Sequence, residues 1–318
     1  MSPSGRGAPM NAMVSKRGAD GSSKDSGDLA PRKKRPGGKV AGTSTLSREP
    51  LALAGQKPAG ALCSLPVEAT AIDASGAQKR ITWQIPEEAA VALQINSQPY
   101  TVMMATPANL TDFGIGFAVA EGVVEKRADI RGVLTMPVEN GFAVDIAVDE
   151  AALDRARLVR RSLEGRSGCG LCGVENIADV VRVTKPVANR VTPDPAAILK
   201  AARMLPKMQP MNELNRTVHG AAWVSLAGDI LLVREDVGRH NALDKLIGAI
   251  IQAKLALPAG FVLMTSRCSF ELVQKAATAG IGALVTVSAP TLLALEIARR
   301  AELFLATLGP DGVVIFNS

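Results

Sequence analysis

Phe261-Val262-Leu263-Met264-Thr265-Ser266-Arg267-Cys268-Ser269-Phe270 is the stretch from which the fold is read. Five apolar or β-branched residues in a row predict a strand over 261–265 that is buried on both faces. The helical pattern that follows predicts a helix over 269–279. The same unit recurs downstream: a strand at 284–287, a helix at 291–300 and a final apolar strand at 303–308. Short apolar strands alternating with helices imply a largely parallel sheet covered on both faces. Ligands on such sheets bind where strands end and helices begin. Here those junctions carry Thr265, Ser266, Arg267 and Ser269, then Ser288-Ala289-Pro290-Thr291. They offer hydroxyls, a guanidinium and free N–H groups, which suit a phosphate-bearing or carbonyl-rich ligand. Simple capping would explain the hydroxyls but not Arg267. Cys268 reads as a small buried space-filler.

Upstream of this core, a strand over 218–226 turns at Gly228-Asp229 and pairs back through 230–233. The run Arg234-Glu235-Asp236-Val237-Gly238-Arg239-His240-Asn241 precedes a long helix to about Leu255. His240 sits there with Asp236, Arg239 and Asp244. That grouping fits either a hydrogen-bonded helix start or the wall of a site. His219 is followed by Gly220-Ala221-Ala222, small residues that permit close approach to the strand. Asp194-Pro195 begins another helix, with Asp as its cap and Pro in its first turn.

Residues 61–165 read as a smaller α+β part. It has a hairpin over 89–104 and a buried helix opened by Pro107 and closed by Gly122. Strands follow at 133–136 and 143–148, then an amphipathic helix over 149–163. Residues 166–318 hold the α/β core together with the loop Arg166-Ser167-Gly168-Cys169-Gly170-Leu171-Cys172-Gly173. Glycines leave that loop sterically open. Arg166 and a predicted helix over 174–180 favour the thiolate form of its cysteines. Disulfide exchange, persulfide carriage and metal ligation all remain open on residues alone. Zinc would need further ligands, and Cys63, Cys268, His219 and His240 are scattered.

Residues 1–50 hold ten Lys/Arg and four Asp/Glu, which accounts for the whole net charge of +6. Residues 1–60 are expected to be a disordered basic tail, because they have too little apolar surface to offset their chain entropy. The neutral remainder carries no net electrostatic footprint for nucleic acid. No secretory leader and no membrane span are read, and four cysteines in 318 residues do not form a disulfide framework. A cytoplasmic protein is the expectation.

Several of these stretches together resemble the formate dehydrogenase accessory sulfurtransferase family (FdhD). They are Ala105-Thr106-Pro107 with Gly116-Phe117 and Glu121-Gly122; Cys169-Gly170-Leu171-Cys172-Gly173; His219-Gly220-Ala221; Glu235 through Lys245; Ser266-Arg267 with Ser269-Phe270-Glu271 and Val273-Gln274-Lys275; and Val287-Ser288-Ala289-Pro290. The resemblance implies a core similar to that of cytidine deaminases. It also implies a sulfur carrier required for formate dehydrogenase activity, classed as a sulfurtransferase. Sulfur would come as a persulfide from a cysteine desulfurase. It would pass to the molybdenum of a bis(molybdopterin guanine dinucleotide) cofactor before insertion into the formate dehydrogenase catalytic subunit. Cys169 would carry the persulfide, and Cys172 would assist its release through a transient disulfide or hold the sulfur in turn. Ser266, Arg267, Ser288 and Ala289 would cradle the cofactor, with Leu308-Gly309-Pro310-Asp311-Gly312 along the nucleotide. No resident metal is implied. The histidine and cysteine patterns of zinc deaminases are absent: Gly220-Ala221 follows His219, and Gly168 precedes the cysteine pair. The chain also has Arg216-Thr217-Val218 where the family often has a glycine pair. The apolar helices would allow a homodimer. A thiol-disulfide oxidoreductase and a zinc-stabilised cofactor chaperone are the competing readings.

Overall fold

The computed structural model describes residues 63–153, 185–253 and 259–317. The basic tail and the 169–172 cysteine pair lie outside the described residues, as do the helix expected over 174–180 and most of that expected over 149–163. The described residues all belong to one compact unit.

A two-stranded ribbon comes first, β1 (Ser64–Ile72) against β2 (Gln78–Pro86). Its turn is closed by Asp73, whose carboxylate accepts from the Ser75 and Ala77 N–H groups, and by Gly76 at φ 85°. The sequence reading did not anticipate this ribbon. Next, β3 (Ala89–Ile95), β4 (Gln98–Ala105), β5 (Ile130–Val138) and β6 (Gly141–Val148) form a sheet in the order β4-β3-β6-β5. The β3–β4 turn places Asn96 and Ser97 at positive φ, the twist that a two-residue hairpin needs.

Helix α1 (Leu110–Ala120) lies on this sheet and is buried nearly all round. It starts three residues later than Pro107 implied. Thr106 is held in place by its own backbone groups, the N–H donating to Asp236 and the carbonyl accepting from Lys245, and the helix begins only after Asn109 at φ 54°. Glu150–Ala152 is a short 3-10 turn and Leu153 is extended, so no helix starts at Asp149.

The second sheet joins β7 (His219–Ser225), β8 (Ile230–Asp236), β9 (Gly260–Cys268), β10 (Ala283–Pro290), β11 (Phe304–Gly309) and β12 (Gly312–Asn317). Their order is β12-β11-β10-β9-β7-β8. Only the β9–β10 and β10–β11 pairs are parallel, so the largely parallel sheet expected from sequence is in fact mixed. The reason is connection length. Each parallel pair has a helix between its strands, whereas β7–β8 and β11–β12 are joined by short turns that permit only antiparallel return.

Helices cover both faces. On one lie α4 (Arg239–Gln252), α5 (Phe270–Thr278) and α6 (Leu292–Arg300), packed on Val262, Met264, Leu284 and Leu305. On the other, α2 (Pro195–Met204) brings Ile198 and Ala201 against Phe261, Leu263, Val285 and Phe304. The continuous apolar strands follow from this two-sided burial. A short helix α3 (Pro210–Asn215) leads into β7.

Candidate functional site

The C-terminal ends of β8, β9, β10 and β11 and the start of β7 share one edge of the six-stranded sheet. His219 stands opposite Asp236, Arg267 opposite Ser288, and Gly309 opposite Gly312. Thr286 pairs with Thr307, which brings Leu308 to the same edge. The fold therefore gathers all nine candidate cofactor residues, Ser266, Arg267, Ser288, Ala289 and Leu308 to Gly312, along adjacent strand ends. Arg267, Ser288, Ala289, Pro310 and Asp311 are exposed, and Ser266 is buried. Ser288-Ala289-Pro290 is not the free turn expected: it lies within β10, where the pairing to β9 slips.

Beneath this edge, the Glu235–Lys245 run faces inward. Asp236 is fully buried, and Lys245 Nζ lies 2.6 Å from its Oδ2. The same oxygen accepts from the Thr106 N–H at 3.0 Å; the other accepts from Gly238 N–H and Asn241 Nδ2. Glu235 receives the Met211 and Asn212 N–H groups at the start of α3, and burial raises its carboxyl above the ordinary value. Asp244 and Glu121 hold Lys275 at 2.8 Å each. Burial works against the Lys275 charge, but these two carboxylates outweigh it and raise its pKa. Asp236 and Asp244 are thus tied to buried lysines, and the motif forms the floor of the site.

Two basic side chains stand toward the surface here, Arg267 exposed and Arg239 partly so. Arg239 opens α4 and Arg267 ends β9. His240 Nε2 lies 3.3 Å from Ser269 Oγ and 3.6 Å from Glu271 Oε2. Burial tends to raise the Glu271 carboxyl, yet its hydrogen bonds with His240 and Ser269 bring it below the ordinary value. His219 is half-buried. Its imidazole is held below its usual value first by that burial, then by the nearby charge of Arg239. It is therefore a neutral donor or acceptor near pH 7. Cys268 is buried, and burial pushes its thiol up to about 12, which removes it as a nucleophile and agrees with the space-filler reading.

Three of the residues that build this floor were not identified as a unit from sequence. Thr106, Asp236 and Lys245 come from two segments more than a hundred residues apart. The signal in the sequence was that Ala105-Thr106-Pro107 and the Glu235–Lys245 run each stood out, without any sign that they meet. Among the described residues, no group of three or more His, Cys, Asp or Glu is arranged to hold a metal ion, and no helix is long and apolar enough to cross a membrane.

Known proteins resemble this chain in sequence and in fold. The sequence model of the FdhD/NarQ family matches residues 86–313. A Bordetella petrii protein named sulfur carrier protein FdhD is 43% identical over 222 residues, covering 70% of this chain and 80% of that one. Its namesake from Variovorax paradoxus is 44% identical over 231 residues, covering 72% and 83%. A crystal structure of a formate dehydrogenase accessory protein from Desulfotalea psychrophila superposes with a TM-score of 0.64 at 23% identity. It covers 80% of this chain and 97% of that one, a likeness of fold. On residues, architecture and relatives together, this chain belongs to the FdhD/NarQ family.

Proposed function

We propose that this protein is a sulfur carrier that serves formate dehydrogenase. In this reading Cys169 takes persulfide sulfur from a cysteine desulfurase. The chain then delivers it to the molybdenum of a bis(molybdopterin guanine dinucleotide) cofactor before that cofactor enters the dehydrogenase. The observation that carries the reading is the 43% identity to a protein named sulfur carrier protein FdhD. The sheet edge supports it, because Arg267, Ser288 and the Leu308–Gly312 turn stand on neighbouring strand ends where a long nucleotide cofactor could lie. A core akin to the cytidine deaminases belongs to the same reading.

The chemistry balances in two steps. The Cys169 thiolate attacks the terminal sulfur of the donor persulfide, forming an S–S bond and releasing the donor cysteine as thiolate. The Cys172 thiolate then attacks the inner sulfur of Cys169. The terminal sulfur leaves as hydrosulfide for the metal, and the two cysteines are left as a disulfide, which a cellular dithiol must reduce before the next cycle.

Incubation with a desulfurase and free cysteine should give an adduct of about +32 Da on Cys169, read by mass spectrometry. Cells carrying Cys169→Ala should lose formate dehydrogenase activity. An adduct that forms equally in Cys169→Ala would sink the assignment.

A further inference from the structure

One face of the four-stranded sheet is packed on α1. Val91, Leu93 and Ile95 of β3 point to that side and are buried with the helix. Strand pairing sets the alternate residues on the opposite face. There Ala90 and Ala92 stand level with Met104 and Val102 of β4 on one side and with Gly141 and Ala143 of β6 on the other. On β5, Val138 is level with Gly141 and Leu134 with Asp145. Val102 and Leu134 are each 60% exposed, and Met104 and Val138 are exposed as well. An antiparallel sheet with one free face ordinarily alternates apolar inward and polar outward. This sheet is apolar on both faces, so the second is built to be covered.

Its relief and its charge both select the occupant. Small side chains run down the two central strands, and large ones stand on the two edge strands β4 and β5. The result is a trough between two ridges. Under a two-fold axis, a ridge of one copy enters the trough of the other and the same contact is made twice. Of the residues paired on this face, only Asp145 is charged, and its carboxylate already accepts from the Ser97 N–H and hydroxyl. A partner of either charge finds no counter-ion here, whereas a second copy brings an equally neutral surface.

We propose that a second copy of this chain docks on the open face of the four-stranded sheet, the two sheets packing face to face. Four strands about 4.8 Å apart and roughly seven residues long give each copy about 450 Å² in plan. That is the size at which an apolar patch marks an interface, and the pair lies at the low end of specific interfaces, so the dimer forms at micromolar concentration. The same strand leads to the candidate site. β4 presents Met104 to the second copy, while the Met104 carbonyl accepts from Asn241. It runs on into Thr106, which is bonded to Asp236 and Lys245. A copy packed on Met104 therefore braces the floor of the site from outside.

The test is sedimentation velocity of the full-length protein over about 1–100 μM. Wild type should pass from monomer to dimer across that range. Val102→Glu and Leu134→Glu each place a charge where the copies would meet, at positions exposed enough to leave folding intact, which circular dichroism checks. Each should weaken association by roughly tenfold or more. Leu231→Glu, at an exposed apolar position on β8 away from this face, should leave it unchanged. Wild type that stays monomeric throughout means that something other than a second copy covers the face, and overturns the proposal. So does a dimer that survives both Val102→Glu and Leu134→Glu, which would use another surface. Equal loss in Leu231→Glu would reveal unspecific apolar association and overturn it too.

Discussion

Lys245 shows how a charged motif can lie beneath a site instead of lining it. Its ammonium is fully buried, 2.6 Å from Asp236 and 2.9 Å from the Thr106 carbonyl. Removing the cation would leave Asp236 buried with neutral donors only, and breaking such a pair from one side costs about 3–5 kcal/mol. Lys245→Met should therefore lower the unfolding free energy by that amount in urea titration; a loss below about 1 kcal/mol would mean that Asp236 does not depend on the ammonium. The sequence could not show this, because Thr106 lies 139 residues from Lys245. It could show that Glu235–Asn241 was special, but not that the carboxylates turn inward while Arg239 reaches the surface. Cys268 was legible because a lone small thiol at a strand-to-helix junction is more easily buried than used. The structure agrees: burial raises the thiol far above neutral pH.

At the scale of elements, the contact between α1 and α4 joins the halves of the molecule. Two glycines let these helices touch backbone to backbone. A Cβ on Gly116 would lie 1.7 Å from the Asp244 carbonyl oxygen, and one on Gly248 would lie 1.9 Å from that of Asp112. Neither neighbour is a flexible side-chain tip, so the helices themselves would have to part. Gly116→Ala should cost at least about 3 kcal/mol, at the upper end of overpacking effects. Gly132→Ala meets nothing within 4 Å and should be near neutral. Equal stability of the two variants in thermal melts would show that the crossing is not tight.

Which elements were legible follows from where their signals lie. The β3–β4 hairpin and α2 carry theirs locally, in Asn96-Ser97 and Asp194-Pro195. The start of α1 does not, since distant groups bond to Thr106 and the chain bends through 107–109 before the helix begins. The β1–β2 ribbon has alternation at Leu65, Val67, Ala69 and Ala71, but Pro66 interrupts it, and Leu65, Val67, Trp83 and Ile85 remain exposed. The last strand, β12, was missed because Gly309-Pro310-Asp311-Gly312 reads equally well as a chain terminus and as a tight return.

At the scale of the whole molecule, the contacts between the four-stranded and six-stranded sheets are of the kind found inside a core. The Arg234–Asp112 pair at 2.6 Å, the Lys275–Glu121 pair and the Thr106 bonds to Asp236 and Lys245 all cross from the four-stranded layer to the six-stranded one. Ile251 and Ala279 pack against the hydrophobic clusters of both. Opening one sheet alone would expose α1 on its second face and separate Asp112 and Glu121 from Arg234 and Lys275. The two sheets should therefore unfold together. In native-state hydrogen exchange, the slowest amides of β3 and β6 should open with the same free energy and denaturant slope as those of β9 and β10, to within about 0.5 kcal/mol. Two well-separated opening energies would mean that the α1–α4 contact is a hinge. The sheet edge would then have to be treated as able to move against the half that supplies Thr106. A single value would mean that the sheet edge and the half that supplies Thr106 form one rigid frame, which holds the strand ends in fixed register.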